Sequence, residues 1–218
     1  MYRRAVTWPS KSLEARSDEI QVDALSIADL VTDLEDTLRV EGGTSLSAPQ
    51  IGFGVRAFII NCAAVGQTNP DPSDCTKSLT TWFAYNPRIF SSEGSAESTE
   101  VCASLPYSSA KVTRSHTIEL EYRNADGHIK SAVFEPPMSL VVQHEIDHLD
   151  GLLYTSRISN LKASMIKRAI NKRRQEIREL RESLDSMDTP KITRVSKSAH
   201  LSKDEVRRRK KMRVKSRS

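Results

Sequence analysis

His144 and His148 stand four residues apart, with Glu145 beside the first, in the run Gln143-His144-Glu145-Ile146-Asp147-His148. Residues at that spacing on a helix are neighbours, with Cβ atoms about 5–6 Å apart, so two imidazoles can grip one ion. A carboxylate next to the first then lies beside the ion's water, where it can act as general base. The pattern is that of a hydrolytic metal site. Two satisfied core histidines would share the spacing, so the third ligand has to decide.

Three candidates present themselves. The metzincin proteases place a third histidine six residues after the second; here Gly151 fits the intervening glycine but the ligand position holds Tyr154. Gluzincins take a downstream glutamate, and the first available are Glu176, Glu179 and Glu182, set among lysines and arginines as salt-bridge partners on a solvated helix. Upstream lies Cys102, in Glu100-Val101-Cys102-Ala103-Ser104-Leu105-Pro106. One thiolate with two imidazoles leaves a fourth coordination position open, as a catalytic site needs.

With Cys102 included, the chain resembles the peptide deformylases, which carry three motifs in this order. The first is Gly43-Thr44-Ser45-Leu46-Ser47-Ala48-Pro49-Gln50-Ile51-Gly52, the second Glu100 to Ser104, and the third, intact, Gln143 to Gly151. The resemblance extends over most of residues 1–180. It implies Cys102, His144 and His148 as metal ligands and Glu145 as base. It also implies oxyanion donors in the Gln50 side-chain amide and the Ala103 backbone N–H, and a substrate cleft drawing on Gly43, Ser45, Leu46, Val101, Leu140 and Val141. Leu140, Val141 and Val101 would make its methionine pocket apolar. The substrates implied are N-formylmethionyl nascent peptides.

The first two motifs depart from the family pattern. Ser45 replaces a usual glycine, where an added side chain restricts the backbone, and Ser47 replaces a common alanine. Ala103 replaces leucine and keeps the N–H donor; Val101 replaces glycine and narrows the backbone beside the cysteine. The expected chemistry is amide hydrolysis by a metal-activated water, with donors aimed at the tetrahedral oxyanion. Glu100, Asp147 and Arg114 are candidates to orient the imidazoles.

Thiolate and imidazole suit zinc, iron, nickel and cobalt alike; the resemblance implies one divalent ion, Fe(II) in the cell. Cys62 and Cys75 could be bridged in an oxidising compartment. No apolar run follows Met1-Tyr2-Arg3-Arg4 and no segment has 18 or so apolar residues, so a reducing cytoplasm with free thiols and no membrane partner is expected; a monomer is expected as well.

The elements that must position these residues read as α+β: mixed or antiparallel sheets packed around the metal-binding helix, with a C-terminal helix. Ile27, Val31, Leu34 and Leu38 predict an early helix ending at Gly42-Gly43. Strands are expected at 55–61, 82–86, 117–122 and 128–134, the last two joined at Asn124-Ala125-Asp126-Gly127. Residues 66–77 read as a polar loop, and His116 and His128 as structural or exposed. Pro136 and Pro137 are expected in the first turn of the metal helix and Gly151 at its end.

Charge divides the chain. Residues 1–156 hold 12 basic and 21 acidic residues, net −9; residues 157–218 hold 21 and 7, net +14. A catalytic domain at 1–156, a basic amphipathic helix at 157–186 and a basic, disordered tail at 187–218 are expected. Leu161, Met165, Ile166, Ala169, Ile170, Ile177, Leu180 and Leu184 mark the helix's apolar side. Its charge suits RNA phosphates, and the resemblance implies docking on the ribosome; a helix resting on its own domain would show the same pattern. Two rivals stay open: an HExxH peptidase with a downstream glutamate ligand, and a non-catalytic deformylase relative that binds ribosome or RNA through its tail.

Overall fold

The computed structural model describes residues 1–21, 26–67, 70 and 80–188. Most of the expected 66–77 loop, Cys75 and nearly all of the basic tail lie outside the described residues.

Helix α1 (Ile27–Glu41) begins at Ser26, whose side chain accepts from Asp29 N, and ends at Gly42 in the left-handed region, φ +73. Strands β1 (Ser45–Ser47), β2 (Ala57–Asn61), β3 (Thr81–Glu93), β6 (Thr117–Arg123) and β7 (Ile129–Phe134) form one antiparallel sheet in the order β1-β2-β3-β6-β7. Between β3 and β6 in the chain, β4 (Ala96–Val101) and β5 (Ser109–Arg114) make a separate antiparallel pair. Helix α2 (Met138–Leu149) carries the histidines, and α3 (Asn160–Asp188) follows a short 3₁₀ turn at Tyr154–Arg157. The α+β expectation holds, with every pairing between these strands antiparallel.

Strand alternation explains where α2 sits. Ala57, Ile59, Phe83 and Tyr85 turn to one face of the sheet and pack with Leu30, Leu34 and Leu38 of α1. Phe58, Ile60, Trp82 and Ala84 turn to the other, with Ile118, Leu120 and Phe134, against Met138, Val142 and Leu149 of α2. The metal helix is therefore held across the sheet by about one apolar residue per turn. A third cluster joins Cys102, Leu105 and Val112 to Leu153, Tyr154 and Ile170.

Several boundaries differ from expectation. Pro137 is the residue preceding α2's first turn rather than part of it. Strand β3 continues past Asn86, which has φ +48 while its side chain bonds Ile20 N and Ile20 O. The apolar stripe of α3 is only partly used: Ile170 is buried and Ile166 packs beside it, whereas Leu161 and Met165 are exposed.

Residues 1–174 form one compact unit. In the second, the described end of α3 exposes Leu180 and Leu184 and carries the pairs Gln175–Glu179 and Arg178–Glu182.

Candidate metal centre

Each donor is positioned by the piece of the fold that carries it. His144 and His148 occupy consecutive turns of the buried face of α2, with ring centroids 4.9 Å apart. Cys102 lies just beyond the end of β4, and its Sγ is 3.2 Å from His148 Nε2. One donor atom from each of Cys102, His144 and His148 falls within 4.8 Å of the others.

His144 Nδ1 pairs with Glu100 Oε2 at 2.8 Å, which leaves Nε2 to turn toward the sulfur. Glu100 is in turn gripped by Arg114, Nε to Oε1 at 2.5 Å and Nη2 to Oε2 at 3.0 Å. Arg114 Nη1 donates to Asp147 Oδ2 at 2.8 Å. The candidate orienting residues Glu100, Arg114 and Asp147 thus form one buried ionic array rather than surface salt bridges. Arg157 closes it, donating to both oxygens of Asp147. No local spacing in the sequence ties Arg157 to His144, and only the fold reveals its place in the array.

The electrostatics follow from these contacts. Burial would raise the Cys102 thiol, but the flanking imidazoles outweigh it and hold the group at about 5. Burial would lower His144, but Cys102 and Glu100 raise it to about 10 in the ion-free protein. Burial likewise acts against ionising Glu100, and His144 and Arg114 bring its carboxyl down to about 2. The flanking imidazoles thus favour the thiolate, the form that binds metal.

Gln50 enters from a short 3₁₀ turn, Ala48–Ile51, that follows β1. Its Oε1 accepts from Ser47 N and from Ser47 Oγ, both at 2.9 Å, which fixes which end of the amide points inward. Its Nε2 lies 3.5 Å from Cys102 Sγ and 3.2 Å from Ser104 Oγ. Against the family pattern Ser47 reads only as a departure; in the fold it pins the amide. The signal is present in the residues, since Ser47-Ala48-Pro49-Gln50 is a capping box.

A cleft of about 480 Å³ opens over these groups. Gly43, Ser45, Gln50, Val101, Cys102, Ala103, His144 and Glu145 are among its lining residues. Leu46, Leu140 and Val141 are not: Leu46 is buried against α1, Val141 packs beside the cluster under α2, and Leu140 is half-buried. Tyr107, 72% exposed with φ +64, forms part of the rim, a role that no motif signals. A larger groove of about 780 Å³, edged by Arg16, Arg56, Arg88 and Arg123, shares no residue with this cleft.

The residues fit a divalent ion. Thiolate and two imidazoles are a three-donor set suited to such an ion, and the three donor atoms face one another within 4.8 Å. Glu145, 1% exposed, leaves Oε2 without a hydrogen-bond partner among the described residues, and the same is true of His148 Nδ1. A buried carboxylate oxygen left open in a cleft is positioned to take a proton from an incoming water. Cys62 is a buried free thiol; His116 and His128 are not buried. No helix among the described residues is long and apolar enough to cross a membrane.

Comparison with known proteins agrees with this arrangement. The family model described as polypeptide deformylase matches residues 2–164. A peptide deformylase of Acidobacterium capsulatum is 33% identical over 172 residues, covering 79% of this chain and 95% of that protein. Solved peptide deformylases superpose closely. That of Legionella pneumophila has TM-score 0.70 and 27% identity over 80% of this chain and 96% of its own. That of Thermus thermophilus has TM-score 0.68 and 29% identity over 81% and 99%. From the joined motifs, the metal-ligating cluster and these matches along most of its length, the chain belongs to the polypeptide deformylase family.

Proposed function

We propose that this protein hydrolyses the formyl group from the N-terminus of N-formylmethionyl peptides, releasing formate. The observation that carries the reading is the convergence, in one cleft, of Cys102, His144 and His148 with the open Oε2 of Glu145 and the pinned amide of Gln50.

A divalent ion held by Cys102, His144 and His148, Fe(II) in the cell by family likeness and replaceable by zinc, nickel or cobalt, supplies Lewis acidity and makes a water nucleophilic near neutral pH. Glu145 Oε2 accepts the proton of the attacking water and returns it to the amine as the C–N bond breaks. Gln50 Nε2 donates to the carbonyl oxygen as it gains charge, and Ser47 keeps that donor from turning away. The Ala103 backbone N–H is the second donor. Gly43, Ser45 and Val101 line the cleft and are read as substrate contacts, whereas Leu46, Leu140 and Val141, which the resemblance also implied, lie outside its lining.

The basic helix and tail, residues 157–186 and 187–218, are read as the part that meets ribosomal RNA, with the catalytic domain in residues 1–156 acting as a monomer in the cytoplasm. The rival with a glutamate ligand is disfavoured by Cys102 standing 3.2 Å from His148 Nε2.

The test is release of free amine from a formyl-Met tripeptide by Fe(II)- or Ni(II)-loaded protein beside Glu145→Gln. Turnover falling by about 10²–10⁴ with the ion retained supports the assignment. Loss of the ion from that variant would count against Glu145 as base, and retention of the ion by Cys102→Ser would count against the thiolate ligand.

A further inference from the structure

Asp147 sits one residue before His148, 4% exposed, and its carboxylate is bound from two sides. Arg114 Nη1 reaches Oδ2 from β5, inside the protein. Arg157 reaches both oxygens from the 3₁₀ turn after α2, with Nε 3.1 Å from Oδ2 and Nη2 donating to Oδ1. Arg157 is itself 46% exposed, so this is the point where the buried array meets solvent.

We infer that Arg157 is the outermost positioning residue of the metal centre: its fork fixes Asp147, Asp147 fixes Arg114, Arg114 fixes Glu100, and Glu100 orients His144. The inference rests on reading Cys102, His144 and His148 as metal ligands. Two physical arguments support it. The first is charge. Glu100, Asp147 and Arg114 alone carry two negative charges and one positive in a buried setting, an imbalance that interiors tolerate poorly. Arg157 supplies the second positive charge, and the charges of the four residues then sum to zero. The second is geometry. A carboxylate held at both oxygens cannot rotate, whereas Asp147 without Arg157 keeps a single bond to Arg114. The guanidinium of Arg114 then loses the anchor opposite its bidentate grip on Glu100. Lysine would keep the charge but cannot present two coplanar donors.

The experiment compares wild type, Arg157→Ala and Arg157→Lys, each loaded with Zn(II), for the rate at which the ion passes to excess chelator. Arg56→Ala serves as the control for loosened structure, because Arg56 binds Leu149 O and Asp150 at the end of the same helix without joining the array. Outer partners of metal ligands typically control metal affinity by 10–100-fold. Release about tenfold faster from both Arg157 variants is expected, with Arg56→Ala within about twofold of wild type whatever its melting temperature. Wild-type release from both Arg157 variants would overturn the inference, and so would equal acceleration in Arg56→Ala. A wild type that retains no stoichiometric ion overturns instead the metal-centre reading beneath it.

Discussion

Replacing Gly151 by alanine should destabilise the protein by about 3 kcal/mol, and the structure separates that figure into two parts. Gly151 has φ +74, just past the C-terminus of α2, where an L side chain costs about 1–2 kcal/mol. A Cβ there would also lie 2.7 Å from Glu14 O, 2.9 Å from Glu14 C and 3.0 Å from Ala15 C. Those are backbone atoms, so a segment must move, and overpacking of this kind costs about 1–3 kcal/mol. Gly42 isolates the first part: it has φ +73, and a methyl added there would meet nothing within 4 Å, so Gly42→Ala should cost only about 1–2 kcal/mol. Urea denaturation of both variants and wild type, all in chelator so that ion binding adds nothing, measures the difference. At about 2–4 °C per kcal/mol for a chain of this size, thermal melts should separate the two alanines by several degrees. Equal losses would refute the contact argument, because the two sites share their backbone strain and differ only in what the methyl meets. The displaced segment matters for function, since Ser17 N bonds Leu149 O at the end of the metal helix.

Other expectations follow from the same site. Gln50→Ala should lower kcat by about 10²-fold with little change in KM, as for loss of an oxyanion donor; an unchanged kcat would remove Gln50 from the mechanism. Ser47→Ala, which deletes one of two bonds to Gln50 Oε1, should cost a few-fold in kcat, in line with a net hydrogen bond of about 0.5–1.5 kcal/mol. In ion-free protein at pH 7, iodoacetamide should label Cys102, held at about 5 against burial by its imidazoles, well before Cys62, which burial pushes up to about 11; equal labelling of the two, read by mass spectrometry, would contradict the ion pair. Glu100 has its folded carboxyl lowered from 4.5 to about 2, burial being outweighed by His144 and Arg114. Its stabilising contribution is therefore complete above pH 4.5 and lost as pH falls toward 2, so Glu100→Gln should flatten the stability profile of ion-free protein in that window.

Much of this was legible in the residues because the relevant signals are local. The stripe of α1, the turn at Asn124-Ala125-Asp126-Gly127 and the histidine spacing each lie within one element. Strands β4 and β5 were not legible, and the reason is chemical. Ala96–Val101 reads Ala-Glu-Ser-Thr-Glu-Val, with no apolar alternation, because its inward residue Glu100 is buried by ion pairing with Arg114 across the hairpin rather than by hydrophobicity. Strand β1 is three residues long, too short for any periodicity. In β3 the expected strand stops at Asn86, just before Pro87; two bonds from Asn86 to Ile20, 66 residues away, hold the backbone where the strand resumes. Arg157 escaped for the same reason, since its partner is chosen by the fold and not by spacing.

The piece of the chain with the least motif content does the most to join the motifs. Val6 N bonds Gln50 O at 2.7 Å, Trp8 N bonds Ser104 O at 2.9 Å and Ser17 N bonds Leu149 O at 2.8 Å, so one N-terminal segment ties the first, second and third motifs in turn. These are backbone contacts, and they leave no trace in residue type. They also bear on how the centre works. Catalytic geometry must be held to about 0.5 Å, and three donors from separate turns and elements reach that tolerance only if each is fixed independently of the ion. Here the sheet fixes α2, the ionic array fixes His144, the N-terminal segment fixes the turns bearing Gln50 and Cys102, and Ser47 fixes the amide. In small zinc-dependent folds the metal's binding energy is consumed in ordering the chain. Here the donors are also ordered by core packing, ion pairs and backbone hydrogen bonds of the chain itself, which add to whatever the ion contributes.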